Sequence, residues 1–407
     1  MAAPSAAGPR RAALAFIFVT IVLDVLALGI IVPVLPRLVV EMTGDTVSGA
    51  EMFGLFGTAW AVMQFLASPV LGALSDRFGR RRVLLLSSFG LGLDYVLMAL
   101  APTLGWLFLG RVISGVTAAG FATAGAYIAD VTPPERRAAS FGLLGAAFGL
   151  GFVLGPAAGG VLGGIDPRLP FWAAAGLTLL NAAYGFFILP ESLPREQRAA
   201  FSWRRANPVG ALGLLRGHPG LLGIAAVVFL YNLAHEALPN VFVLYTGYRY
   251  GWDETRIGLT LAAVGVFSAI VQGGLVRVAV ARLGERRTLI LGLSCGALGM
   301  AAFGAAATAT MFWAAIPALA LWGLSGPAAQ GLMSRRVEPG EQGRLQGALT
   351  ALHALAGLAG PGLFTLAFAR GIDEAGAQVP GAPFLLAALL LGASAALAWL
   401  IAGRSRG

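Results

Sequence analysis

A chain of 407 residues that is 57% hydrophobic and only 12% charged, with a mean hydropathy of +0.80, cannot cover itself with a water-facing surface, because soluble domains carry about 25% charged residues. Its formal charge of +9 is an arginine surplus, 28 basic residues against 19 acidic ones, and the placement of those arginines described below excludes a nucleic-acid partner. The lone Cys295 sits in an apolar stretch and excludes an internal disulfide.

Apolar runs of roughly 20 residues, the length that crosses a bilayer, predict twelve helices at 12–35, 51–74, 83–101, 104–129, 138–162, 170–190, 219–246, 255–280, 288–308, 310–332, 345–369 and 383–403. The first is too long for a signal-peptide core and is expected to stay in place. It carries Asp24, roughly 20 Å along the helix from Arg11 at ~1.5 Å per residue. A carboxylate at that depth costs at least ~2.5–3.5 kcal/mol. The second span holds Gln64, and the loop after it reads Gly72, Asp76, Arg77, Gly79, Arg80. The third holds Asp94 and the fourth Arg111. An acid paired with Arg111 could tie helices together; alternatively, Asp24 and Asp94 take a proton or touch a substrate, with Arg111 competing for one carboxylate.

The fifth span carries glycines at small-xxx-small spacing, which lets another helix approach closely, and Pro156, which permits a kink. Its expected partner is the eighth or eleventh span. Asn181 lies in the sixth. The longest polar connection follows at 191–218 and separates two halves, 1–190 and 219–407. The seventh span places Asn232, His235 and Glu236 together, the first and last sharing a helix face. Glu236 is either a polar knot packed against His353 of the eleventh span or a substrate or proton site. Gln272 and Gln330 lie in the eighth and tenth spans. Amides in lipid serve either as interhelical ties or as pocket groups, and Gln64 and Gln330 are the better pocket candidates. Two distant histidines are too few for a metal site, and none is expected.

With both ends cytoplasmic, most arginines fall in cytoplasmic loops, whereas only Arg37, Arg168, Arg249, Arg256 and Arg370 fall outside. This is the positive-inside pattern, so the positive charge sets membrane orientation. The halves also echo each other. Arg77-Phe-Gly-Arg-Arg-Arg-Val-Leu84 recurs 205 positions later as Arg282-Leu-Gly-Glu-Arg-Arg-Thr-Leu289, and Leu154-Gly-Pro156 as Ala359-Gly-Pro361. Duplicated six-helix halves are a recurring transporter plan. No nucleophile–base pair or nucleotide-binding loop points to an enzyme.

Gly72-Ala-Leu-Ser-Asp76-Arg-Phe-Gly79-Arg-Arg-Arg resembles the loop signature between helices 2 and 3 of the major facilitator superfamily. Leu109-Gly-Arg111-Val-Ile-Ser-Gly115 is similar to its fourth-helix motif. Gly149-Leu-Gly151-Phe-Val-Leu-Gly155-Pro156-Ala-Ala-Gly159-Gly160 resembles the fifth-helix motif of its antiporters. Leu23-Asp24, Pro33-Val-Leu-Pro36, Leu93-Asp94-Tyr95 and Ala329-Gln330-Gly331 resemble the tetracycline/proton antiporter group. The chain departs from that group in helix 9, which lacks the usual acid, and in helix 8, where Ser268 stands in place of the frequent histidine.

The resemblance implies an all-α membrane fold of two pseudo-symmetric six-helix bundles in the inner membrane, acting as a monomer without a cofactor. Its partners would be lipid, protons and a small, partly apolar exported molecule. Uptake by proton symport is the alternative. Asp24, Asp94, Arg111 and Glu236 would couple protons; Gln64, Asn232, His235, Gln330 and His353 would touch cargo. Gly72, Asp76, Arg77, Gly79 and Arg80 would form a latch in which Asp76 meets the helix 11 N-terminus, where a carboxylate gains ~0.3–1 kcal/mol from the helix dipole. Gly151, Gly155, Pro156 and Gly159 would serve the antiporter motif.

Overall fold

The computed structural model describes residues 7–117, 120–132, 137–199, 201, 212–217, 219–338, 341–374 and 378–403, and among them the regular structure is wholly helical. Of the 191–218 connection, residues 200, 202–211 and 218 lie outside the described set. Helices α1 (Ala7–Ile31), α2 (Leu35–Thr43), α3 (Thr46–Phe78), α4 (Arg80–Leu100), α5 (Leu104–Thr117), α6 (Gly120–Val131), α7 (Arg137–Ile165) and α8 (Leu169–Ile188) precede the connection. After the short α9 (Gly213–Gly217) come α10 (Pro219–His235), α11 (Ala237–Tyr250), α12 (Glu254–Ile270), α13 (Val276–Ala305), α14 (Ala309–Ala320), α15 (Ser325–Ser334), α16 (Gln342–Ile372) and α17 (Ala382–Gly403).

Several expected single spans are interrupted helices, and proline chemistry explains most of the breaks. Pro33 and Pro36 separate α1 from α2 by a turn closed through Val32 N–H to Gly29 and Val34 N–H to Ile31. Pro239 lacks an N–H for the carbonyl four residues back, at His235, and the helix breaks at Glu236, which instead donates its N–H to Leu233 at 3.1 Å. Pro327 withholds the same bond from Gly323, inside the 3-10 turn Leu321–Leu324 that joins α14 to α15. Between α12 and α13, Val271–Leu275 forms a π turn. At the start of α3, Asp45 accepts the Ser48 N–H at 2.8 Å, and that backbone bond holds its carboxyl below the ordinary range.

Among the described residues, ten stretches are long and apolar enough to cross a membrane. One of them, the 52 residues Glu254–Ala305, would reach ~78 Å as a single rod, more than twice a bilayer core of ~30 Å. It is two helices, because Gly284 (φ 76, ψ 161) interrupts α13. At the same repeat position, 205 residues earlier, Gly79 (φ 101, ψ 148) starts α4. Both adopt a backbone that L side chains rarely take, and at Gly79 a side chain would also run into the Glu191 carboxylate.

Contacts gather the chain into two compact units. The first is Met1–Leu35, Ala59–Pro208 and Glu254–Ala262; the second is Pro36–Thr58, Val209–Asp253 and Ala263–Gly407. In the first, α1 packs on α7 and α8, and α4 on α8 and α5. In the second, α13 packs on α17, α10 on α16 and α17, and the N-terminal part of α3 touches α16, where Gly54 lies against Thr365 and Gly57 against Pro361. A stacked aromatic core of Phe303 and Phe312, centroids 3.8 Å apart, fixes α13 to α14, and Tyr245 bridges to it by donating to the Phe303 carbonyl at 3.1 Å.

Candidate functional site

Three polar clusters stand inside otherwise apolar helices. In the first unit, Asp24 of α1 accepts a hydrogen bond from the Asn181 amide of α8 at 2.9 Å, and the same nitrogen reaches the Thr20 carbonyl at 3.1 Å. Asn181 is buried, so this amide has a partner for its donor while its oxygen has none among the described residues. The sequence identified Asn181 only as an amide in lipid; its partner was not legible, because helices 1 and 6 meet through the fold.

The second cluster surrounds Asp94 of α4, which is 2% exposed. Neither carboxyl oxygen has a hydrogen-bond partner among the described residues, and the same holds for Tyr95 Oη, Arg111 Nε and Trp60 Nε1. Gly110 makes the close approach possible: a methyl there would lie 3.1 Å from Asp94 Oδ1 and 2.5 Å from Met98. Arg111 stands within electrostatic reach of Asp94 and Tyr95, yet no ion pair joins Arg111 to either acid. Its guanidinium lies over the Trp60 ring at 5.4 Å, an arrangement that attracts a cation to the ring face. The expected pairing of Arg111 with a carboxylate is thus not a direct ion pair: the guanidinium rests on the indole of α3, with Asp94 still within electrostatic reach. Four buried polar groups left unpaired side by side are unusual, since buried polar groups are nearly always satisfied.

The third cluster lies in the second unit. His353 Nδ1 of α16 is 3.4 Å from Asn232 Oδ1 of α10, and the His235 ring tilts against Trp322 at 5.4 Å. Glu236 occupies the break between α10 and α11 rather than a continuous helix face. Asn240 donates to its backbone carbonyl at 2.8 Å and to its carboxylate at 3.2 Å. Its side chain lies on Gly360 of α16, where a methyl would collide with its Cβ and Cγ. The knot expected between Glu236 and His353 is therefore redistributed: the histidine meets Asn232, and the glutamate meets Asn240 and a glycine. Asn240, four residues after Glu236, was within reach of sequence reasoning by helical spacing. Gln64 is half-buried on α3, Gln330 is exposed on α15, and neither hydrogen-bonds a described residue. Among the described residues no three His, Cys, Asp or Glu gather as metal ligands.

The loop residues form a charged brace. Asp76 and Arg80 pair at 2.6 Å, and Arg80 Nε reaches Asp130 of α6 at 3.2 Å. Gly72 has open space around it, and Arg77 lies over the Phe78 ring at 5.1 Å. The fifth-helix glycines divide into two stripes. Gly151, Gly155 and Gly159 recur every fourth residue and lie against Val25, Gly29 and Ile30 of α1. Pro156 and Gly160 form the adjacent stripe and meet Gly258 and Glu254 of α12. The expected eighth-span partner is met by this second stripe, since α12 is that span; the first stripe, about 100° round the helix, packs on the first span, which the spacing did not predict.

Long apolar helices that bury acids and amides in this way define a polytopic membrane transporter. Residues 17–361 match the Major Facilitator Superfamily, and the chain belongs to that family. It is 42% identical over 360 residues to the class C tetracycline resistance protein of Escherichia coli, covering 88% of this chain and 90% of that one. It is 36% identical over 352 residues to the class B protein of the same organism, with 85% and 86% covered. Human hippocampus abundant transcript-like protein 1 is 31% identical over 361 residues, 84% of this chain and 71% of that one. The crystal structure of the human organic anion transporter MFSD10 superposes with a TM-score of 0.71 at 26% identity, covering 96% of this chain and 99% of that one. A D-xylose-proton symporter shares the fold, with a TM-score of 0.76 at 19% identity over 96% and 97% of the two chains.

Proposed function

We propose that this protein spends the proton gradient to export a small, partly apolar molecule of tetracycline type by alternating access. The observation that carries the reading is Asp94, buried with no hydrogen-bond partner beside an arginine that is held on an indole. An ionised carboxylate left so would cost several kcal/mol; a carboxyl that gains a proton from one side and yields it to the other uses that imbalance as its working cycle. Asp24, already tied to Asn181, is the second acid of the path, and Arg111 is the cation that favours proton release. Glu236 supplies an acid to the C-terminal half in place of the one that helix 9 lacks.

Cargo contacts fall to Asn232, His235 and His353, with Gln64 and Gln330 offering free amides. The relatives named for tetracycline resistance support the cargo class. The chain is arranged as twelve crossings in two halves, 1–190 and 219–407, joined by 191–218, with both termini in the cytoplasm of a bacterial inner membrane and the monomer as the working unit. The shared backbone of Gly79 and Gly284 supports the duplication, and the arginine placement supports the orientation. Asp76 and its loop latch the cytoplasmic side.

The test is a compound panel in a pump-deficient bacterial host, followed by inverted membrane vesicles carrying an imposed pH gradient. Tetracycline added to energised vesicles should draw protons out of the lumen as it enters. Proton and cargo moving in the same direction would establish symport and defeat the export reading.

A further inference from the structure

A cavity of about 350 Å³ opens where α4 begins and α8 ends, lined by Arg81, Arg82, Arg195, Arg198, Pro194 and Glu191. Its size lies within the range of small-ligand pockets, ~300–1,000 Å³. Four arginines face one glutamate, and that glutamate is already neutralised locally. Its Oε1 accepts the backbone N–H groups of Arg80 at 2.8 Å and Leu193 at 3.2 Å, and its Oε2 pairs with Arg198 at 3.7 Å. Arg81 and Arg198 each keep a buried Nε–H without an acceptor among the described residues. Arg82 and Arg195 make no ion pair among those residues. The cavity therefore holds unspent positive charge and unspent donors, the chemistry that a phosphate diester satisfies.

Two apolar strips run away from it. On α4, Arg82 begins a line continued by Leu86, Phe89 and Leu93 at helical spacing, and Leu86 is 71% exposed. On α8, Phe186, Phe187 and Ile188 are all exposed, Phe187 to 81%. Arg81 donates to the Phe186 carbonyl and lies 5.8 Å over its ring, so the charged cavity and the greasy strip share a border. A soluble anion would use the charge and ignore the strips. A lipid uses both.

We infer that this cavity is a binding site for the phosphate headgroup of an anionic phospholipid, whose acyl chains lie along the exposed faces of α4 and α8. The site is separate from the proposed proton and cargo path and rests only on the membrane fold.

The test uses the full-length protein purified in detergent, with native mass spectrometry counting retained phosphatidylglycerol against phosphatidylcholine. Phosphatidylglycerol should be preferred, and Arg82→Gln/Arg195→Gln should weaken its retention by about 30-fold, the loss expected for two arginines at a headgroup. The charge-matched pair Arg249→Gln/Arg370→Gln should leave it unchanged. Equal retention in both double variants, or no preference between the lipids, overturns the inference. Should the first variant fail to fold, the wild type still decides: raising salt must release phosphatidylglycerol, and salt-insensitive retention refutes a charge-built site. Inorganic phosphate supplies the last arm. If millimolar phosphate stabilises lipid-free protein and displaces phosphatidylglycerol, the ligand is a soluble phosphate and the lipid assignment falls. None of these readouts involves transport, so the failure of one reading leaves the other standing.

Discussion

Replacing Asp94 by asparagine separates the proton from the fold. The side chain keeps its shape and loses its ability to ionise. Since neither Asp94 oxygen has a hydrogen-bond partner among the described residues, the variant forfeits no recorded bond, and a buried amide costs about as much as the protonated acid it replaces, ~1–3 kcal/mol unpaired. Stability should therefore change by less than ~1 kcal/mol. Transport should change completely. One proton moving through 100 mV releases ~2.3 kcal/mol, enough to sustain about a 50-fold gradient of uncharged cargo; Asp94→Asn should bring that ratio to unity. Asp24→Asn differs because it weakens the 2.9 Å bond from Asn181. A hydrogen bond to a charged group is worth ~1.5–3 kcal/mol, so this variant should be the less stable of the two. Radiolabelled tetracycline accumulation in inverted vesicles, paired with thermal denaturation of the purified proteins, measures both quantities. Wild-type accumulation by Asp94→Asn would remove Asp94 from the coupling, and equal stabilities would refute the account of the two environments.

Gly160→Leu should impair transport and lower stability by ~1–3 kcal/mol, the cost of overpacking, because a side chain there meets the Glu254 carbonyl and Gly258 of α12; vesicle transport and thermal denaturation of the same protein check it, and a fully active variant would show that this contact is dispensable. Asp76→Asn removes the anion that Arg80 holds at 2.6 Å, and a cysteine placed in the cytoplasmic mouth after Cys295→Ser should then label faster; unchanged labelling and transport would leave the loop only its orienting role. Glu236→Gln retains a partner for Asn240 and should flatten the pH dependence of transport without loss of stability, while His353→Ala, which breaks the 3.4 Å contact with Asn232, should weaken cargo affinity instead. Measured binding and pH profiles on both variants distinguish the roles, and identical phenotypes would show that the two contacts act as one knot.

The fold was legible because its signals are one-dimensional: apolar length, arginine placement and a repeated phrase all survive without knowing what touches what. Candidate site residues could be picked out for the same reason, since an acid or an amide inside a lipid-length helix needs an explanation wherever it points. Their partners were not. Arg111 and Asp94 are opposite charges on neighbouring spans, and only the position of Trp60 determines that the guanidinium lies on an indole. The i, i+4 spacing of Asn232 and Glu236 predicts a continuous helical face, yet Pro239, three residues on, carries the signal that breaks the helix there. In helix 5 the spacing predicted close packing correctly, but the identity of the packed neighbour depends on which of two adjacent stripes faces which helix.

The repeat preserves position more faithfully than residue, and this explains why it is faint in the sequence. In the first half Arg80 pairs with Asp130 at 3.2 Å; in the second, Arg335 pairs with Glu285 at 2.7 Å. Each of these positions lies 205 residues from its counterpart, and the signs are exchanged. An ion pair at a loop base requires opposite charges at two places and is indifferent to which end carries which, so duplication followed by drift can reverse it without loss. Gly79 and Gly284 cannot drift in this way. Their positive φ admits no ordinary side chain, and they remain glycine in both halves. Backbone conformation fixed the residue where a side-chain pair only fixed a relation, and the faint echo in the sequence is what remains of the difference.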